Sequence, residues 1–298
     1  MATSKHQIPD FEISAPDETT SPVIFNSPHS GSYYRPDFIA ASRLTPLSLR
    51  KSEDSFVDEI FSAMPTIGCP LLKANFPRAF LDVNRAPWEL DQKMFSDILP
   101  PYAETKTIRV AAGLGTIARN VTENEKIYRK KLTFAEAKAR IERYYFPYHL
   151  ALEKLIATAR EQFGQAILID CHSMPSSAVT PIMINNRRKK PDIILGDRYG
   201  TSCNNALLDH LEYLFDNTGL NTTRNKPYAG GFITCTYGQP AQSVHAIQIE
   251  INRSLYMDEK TIRKTAGFEP LKAVIGDIFN TFVQSLPQSS SQPSLAAE

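Results

Sequence analysis

Two apolar runs that each end on a histidine constrain this chain more than any other feature. Val23–Tyr33 reads VIFNSPHSGSY and breaks at Pro28-His29-Ser30-Gly31, and Ala166–Ser173 reads AILIDCHS and ends on His172. Short apolar runs bounded by turn residues read as buried strands. In an open α/β sheet, ligands bind beyond the carboxyl ends of the strands. Two strands that finish on imidazoles therefore suggest one polar site at the sheet's edge. Rings more than about 8 Å apart could not both reach one ion through bonds of ~2 Å.

Other strands are expected at Pro22–Asn26, Leu71–Ala74, Ala79–Val83, Ala166–Asp170, Ile182–Ile184, Ile193–Gly196 and Ala246–Asn252. Helices are expected at Pro46–Ala63, Thr133–Phe163, Cys203–Thr218 and Thr261–Ser285. Thr133 followed by Glu136 is a capping-box pattern, and Pro147 should kink or split the helix it opens. Gly164 and Gly219 stand where helix ends need a left-handed residue. Strands alternating with long helices predict an α/β protein, its mainly parallel sheet covered on both faces.

The 298 residues read as one folded domain, 21–286, between polar ends at 1–20 and 287–298 that are expected to be mobile. Thirty-three Lys and Arg balance 32 Asp and Glu, so net charge gives no reason to expect nucleic acid or an anionic membrane as partner. The basic stretch Asn185–Lys190 reads as a solvated loop. No apolar run is long enough for a bilayer, and the first residues lack a secretory signal, so cytoplasmic is the expected location. Cys69, Cys171, Cys203 and Cys235 form no close pair and read as free thiols.

Strand alternation sorts the polar residues. Ile247, Ile249 and Ile251 fall on one face of their strand, and Gln248, Glu250 and Asn252 on the other. A carboxylate such as Glu250 in so apolar a strand is costly to bury unless it is paired or near a metal. Pairing with Arg253 would be the ordinary solution. Asp170 shares a face with His172 and could orient its ring. FPRAFLDVNRAP carries Arg78, Asp82, Asn84 and Arg85, residues suited to a carboxylate ligand, although Asp82 and Arg85 could equally close a turn as an ion pair.

Taken in order, these segments resemble the N-formylglutamate amidohydrolase family. The shared pieces are SPHSG at 27–31, Asp54-x-x-Val57-Asp58, Asp82-x-Asn84-Arg85-x-Pro87 and Asp170-x-His172-Ser173. Leu195-Gly196-Asp197, Gly230-Gly231-Phe232-Ile233-Thr234, His245-Ala246-x-Gln248-x-Glu250 and Tyr256-Met257-Asp258-Glu259 follow. That family is similar in turn to the zinc carboxypeptidase and aspartoacylase group. The resemblance implies a single three-layer α/β/α domain with a mixed, mainly parallel sheet and one zinc ion held by His29, His172 and a carboxylate. The group's first motif, His-x-x-Glu, is absent, because Ser30-Gly31-Ser32 follow His29. Asp54 is the expected third ligand and Glu53 its competitor.

The resemblance also implies roles. Glu250 would move the proton, Arg78 would stabilise the oxyanion, Asn84 and Arg85 would hold a substrate carboxylate, and Gly230 and Gly231 would admit the ligand. His245 lies outside the register of Glu250 and ranks lower. The substrate would be a small N-formyl or other short N-acyl amino acid. Where relatives that cleave formylglutamate carry a Trp-His pair, this chain has Ser55-Phe56, which leaves the acyl group and the amino acid open. A carboxypeptidase or peptidoglycan amidase with Tyr33-Tyr34 and Tyr144-Tyr145 lining a groove is one alternative. A non-catalytic metabolite-binding relative is another. The sequence leaves the oligomeric state open.

Overall fold

The computed structural model describes residues 8–122, 125–184 and 187–287. In chain order the strands are β1 (Phe11–Ser14), β2 (Val23–Ser27), β3 (Leu71–Ala74), β4 (Ala166–Met174), β5 (Ile182–Ile184) and β6 (Arg187–Lys189). They continue with β7 (Ile193–Gly196), β8 (Thr222–Arg224), β9 (Val244–Asn252), β10 (Met257–Asp258) and β11 (Arg263–Lys264). Seven of them form the central sheet, in the order β1-β3-β2-β4-β9-β7-β8. The β3-β2, β2-β4, β4-β9 and β7-β8 pairs are parallel, and β1-β3 and β9-β7 antiparallel. The sheet is mixed and mainly parallel, as expected.

Alternation along each strand divides the core into two apolar layers. Ile24, Leu72, Leu168 and Ala246 pack on one face, under Tyr148, Leu152 and Ile156 of the helix Phe146–Phe163. Phe25, Ile169, Ile247, Ile249 and Ile251 pack on the other, under the helices Asn205–Asp216 and Phe268–Ser285. This is the three-layer α/β/α arrangement. Thr133 and Glu136 form the capping box, and a wide π-helical turn, Ile141–Tyr145, separates Phe134–Arg140 from Phe146–Phe163. Pro147 has no N–H to offer the preceding turn, which accounts for the break at that point. Gly164 and Gly219 are both left-handed.

Several expectations fail for local reasons. The segment expected to be mobile up to residue 20 supplies the edge strand β1, because β3 offers it a ladder. Ala79–Val83 is a compact turn: the Pro77 carbonyl accepts from the Phe80 and Leu81 N–H groups, and Asp82 Oδ1 accepts from the Asn84 N–H. The helix expected over Thr261–Ser285 starts only at Phe268, because Asp258 caps a turn between β10 and β11. The strand expected at Ile182–Ile184 forms a separate hairpin with β6. The basic stretch therefore contributes strand β6, not a loop; Asn185 and Asn186 lie outside the described residues, as do residues 288–298 of the tail. Cys69, Cys171 and Cys203 are buried free thiols, and Cys235 is exposed. Among the described residues no helix is long and apolar enough to cross a membrane.

Candidate active site

The site begins with the β4-β9 ladder. Its register sets His172 beside Glu250 and Asp170 beside Gln248, all directed to one face. On the other side of β4, Asn26 of β2 pairs with Asp170, and its amide donates to Asp170 Oδ1 at 2.7 Å. Just past β2 the chain turns through His29, and Gly31 lies against the backbone of Phe76, whose carbonyl oxygen would be 2.2 Å from any Cβ there. A side chain at 31 would push this turn, and His29 with it, away from the sheet.

The helix expected over Pro46–Ala63 is broken so that Asp54 can reach the same place. Helix Pro46–Arg50 stops, Asp54 N–H donates to the His29 carbonyl at 3.0 Å, and Phe56 adopts a left-handed conformation (φ 69°) before Val57–Ile60. Asp54, not Glu53, joins the histidines. Glu53 turns away to Arg50 and Ser55.

The two rings lie 4.8 Å apart between centroids. Nδ1 of His172 is 3.0 Å and Nδ1 of His29 is 3.4 Å from Asp54 Oδ2. One ligand atom from each of the three residues lies within 4.8 Å of the others, and all three residues are buried. On the far side of the rings, Nε2 of His29 meets Asp82 Oδ1 at 2.7 Å and Nε2 of His172 meets Asp170 Oδ2 at 3.0 Å. A carboxylate behind each ring fixes the tautomer whose Nδ1 lone pair faces inward, the usual support for metal-binding histidines. His29 Nδ1 is buried with no hydrogen-bond partner. An acceptor left unpaired beside a carboxylate and a second imidazole is a donor set that a divalent cation fits.

Charge is distributed to match. Burial opposes ionisation of Asp54, but the hydrogen-bonded His172 and the nearby His29 imidazole hold its carboxyl well below the usual range. Burial likewise opposes protonation of His172, yet Asp170 and Asp54 outweigh it and hold the imidazole well above its ordinary value. A cation held among these groups would take the place of that proton. Burial pushes Glu250 the other way, up to about 7, against the attraction of His172. Gln248 Nε2 donates to Glu250 Oε1 at 2.8 Å.

A cavity of about 410 Å³ opens over the cluster and is lined by His29, Asp54, His172 and Glu250, with Arg78, Arg85, Arg109, Arg198, Tyr228, Gln248 and the Ala229–Gly231 backbone. Arg78 pairs with Asp82 Oδ2 at 2.7 Å. Arg85 lies 3.8 Å from the same oxygen, the ion pair read as a turn closure, and it also lines the cavity. Asn84 is spent on the protein: its Oδ1 accepts from the Ile233 N–H at 2.8 Å and its Nδ2 donates to Asp170 Oδ2 at 3.5 Å, beside the His172 ring. Gly231 is needed for the same reason, since a Cβ there would stand 2.5 Å from Asn84. Its segment leads into a helix, Phe232–Tyr237, and not into the alternative hairpin.

Other expectations are redirected. Arg253 does not pair with Glu250; its Nη2 donates to Asp54 Oδ1 at 3.0 Å and its Nε to Ser173 Oγ, fixing which Asp54 oxygen faces the imidazoles. His245 accepts from the Asn204 N–H at 3.3 Å and does not line the cavity. Ser55 and Phe56 do not line it either, and Phe56 packs on Phe268. Tyr144 and Tyr145 are core residues, so they build no open groove.

A buried His-Asp-His group that could hold a metal ion stands at the carboxyl edge of the sheet with a glutamate next to it, an arrangement suited to a hydrolase acting on a linear amide. The comparisons narrow this: residues 21–257 match the N-formylglutamate amidohydrolase family, and the chain belongs to it. It is 29% identical over 245 residues to the N-formylglutamate deformylase of Pseudomonas putida, covering 80% of this chain and 82% of that one. It is also 29% identical over 242 residues to the Pseudomonas aeruginosa enzyme of the same name, covering 80% and 83%. The crystal structure of an N-formylglutamate amidohydrolase from Ralstonia eutropha JMP134 superposes with a TM-score of 0.85 at 34% identity, over 93% of this chain and 99% of that one.

Proposed function

We propose that this protein is a zinc-dependent amidohydrolase that cleaves the C–N bond of N-formyl-L-glutamate, giving formate and L-glutamate. The observation that carries the reading is the inward-facing, unpartnered Nδ1 of buried His29, within reach of Asp54 and His172. The names of the relatives support the substrate. His29, Asp54 and His172 are the residues that hold the ion. Zinc bound there supplies Lewis acidity, which makes water acidic near neutral pH.

The chain's own residues do the rest. Glu250 accepts a proton from the attacking water and delivers it to the departing amine. With a pKa raised to about 7 it serves as both base and acid near neutrality. Arg78, held at the cavity wall by Asp82, faces the negative charge that develops on the amide oxygen. Arg85 adds positive charge to the cavity wall, and Asn84 braces Asp170, the carboxylate that orients His172. Gly230 and Gly231 keep the cavity wall free of side chains.

Glu250→Gln tests the role of the glutamate: zinc content stays at one ion while kcat falls by about 10²–10⁴. Near-normal turnover would remove Glu250 from the mechanism. His29→Ala and His172→Ala should each purify without zinc by elemental analysis, and full zinc content in either would refute the ligand set.

A further inference from the structure

The cavity carries more positive charge than its own acids neutralise. Of its four arginines, Arg78 and Arg85 share Asp82, and Arg85 further spends Nε on the Leu114 carbonyl at 3.0 Å and Nη1 on the Asn84 carbonyl at 2.7 Å. Among the described residues, Arg109 and Arg198 form no ion pair with any carboxylate. Arg109 comes from the short helix Ile108–Ala111 and Arg198 from the loop after β7, so two separate elements each contribute one unspent guanidinium.

Arg198 is held there by design of the loop. It and Tyr199 are consecutive non-glycine residues in the left-handed region, with φ of 55° and 57°. Such strain persists only where the surroundings dictate it, and it clusters at active sites, ligand clamps and switch regions. The surroundings here are specific. Arg198 N–H donates to the Ala229 carbonyl at 2.7 Å, and Asn225 Oδ1 accepts from the Asp197 and Tyr199 N–H groups. Asn225 Nδ2 returns a bond to Asp197 Oδ1 at 2.7 Å. The side chain donates once, to the Gly230 carbonyl at 3.3 Å, so most of its fork remains for a ligand.

We infer that Arg109 and Arg198 are the specificity-determining pair, each binding one of the two carboxylates of an acidic N-acyl amino acid. This rests on the amidohydrolase reading above and moves carboxylate recognition away from Asn84 and Arg85, whose polar atoms are largely used by the protein. A substrate with one carboxylate leaves one guanidinium unpaired in the cavity and is disfavoured for that reason.

The test crosses variants with truncated substrates. N-formylglutamine lacks the side-chain charge, and N-formyl-4-aminobutyrate lacks the α-carboxylate. Arg109→Gln and Arg198→Gln should each lower kcat/KM for N-formylglutamate by about 10- to 100-fold, the worth of a charge-assisted hydrogen bond. For each variant the loss should vanish with one truncated substrate, and with a different one for each arginine. Equal losses on all three substrates, or none, would overturn the pairing. Calorimetric binding of glutarate, the bare dicarboxylate, to the zinc-loaded protein separates this inference from the reaction itself. If the wild type binds glutarate, the variants bind it at least tenfold more weakly and N-formylglutamate is not hydrolysed, the amidohydrolase reading fails and the pair stands. If N-formylglutamate is hydrolysed and both variants bind glutarate as the wild type does, the pair fails. Thermal melts of both variants, and Arg198→Lys, which keeps the charge, guard against loss of folding.

Discussion

At the scale of single residues, buried polar groups here are held by partners that arrive from elsewhere in the chain, and titration should expose them. His149 lies outside the candidate site. Its Nε2 donates to the Val83 carbonyl at 2.9 Å and its Nδ1 accepts from the Tyr237 hydroxyl at 2.7 Å, a neutral tautomer. Burial pushes its pKa down to about 4. The stability gained from burying it neutral is present above its ordinary value near 6.5 and is lost as pH falls toward 4, up to about 3 kcal/mol. His149→Gln should flatten that acid-side decline, measured as urea midpoints at pH 7 and pH 4.5. An unchanged slope would mean that other groups carry it. The pair Glu53 and Asp54 makes the same point about partners. The sequence leaves two adjacent carboxylates open as ligands, and only the three-dimensional detour of the chain, with Asp54 N–H bonded to the His29 carbonyl, separates them. Asp54→Asn should lose the metal. Glu53→Gln should keep it, at a cost in stability from its bonds to Arg50 and Ser55, with zinc content and melting temperature as the two readouts.

Elements differ in how much of them a sequence shows. β2, β4, β7 and β9 were readable because apolar runs meet turn residues at their ends, and the capping box at Thr133 was readable because its partners are three residues apart. Thr133→Ala should cost about 1 kcal/mol in urea unfolding, without loss of metal. The turn at 79–83 reads as a strand because its apolar residues Phe80, Leu81 and Val83 are buried as a strand's would be. The hydrogen bonding of Pro77 and Asp82 decides otherwise, and alternation cannot see it. The helix break before Asp54 has no local signal at all. Arg198 had one: it follows the strand end Gly196-Asp197, where a cavity residue is expected. Arg109 has none, being carried to the cavity by a short helix, Ile108–Ala111, that no motif marks, and Arg253 reaches Asp54 rather than its sequence neighbour Glu250.

For the whole molecule, the three-layer fold and the two histidine-bearing strands were evident from the sequence, because hydrophobic burial sets both. The charge balance of the cavity was not, since it depends on loops that converge only after folding. Three buried side chains, His29, Asp54 and His172, bring the β2 turn, the interrupted helix and β4 to one point. An ion that binds only the folded chain stabilises it by mass action, by ~4 kcal/mol when its concentration exceeds Kd about a thousandfold. Stripping the metal with a chelator should therefore lower the melting temperature by roughly 10 °C, and restoring zinc should recover it. A melt indifferent to chelation would show that the protein reaches its native packing without the ion.

The β4-β9 ladder has a further consequence. A slip of one residue between these strands would turn Ile249 and Ile251 toward the cavity and send Glu250 into the greasy side of the sheet. No partly threaded chain can then retain a fraction of the chemistry. Turnover per molecule becomes a tally of correctly zipped chains, by which a refolded batch can be graded.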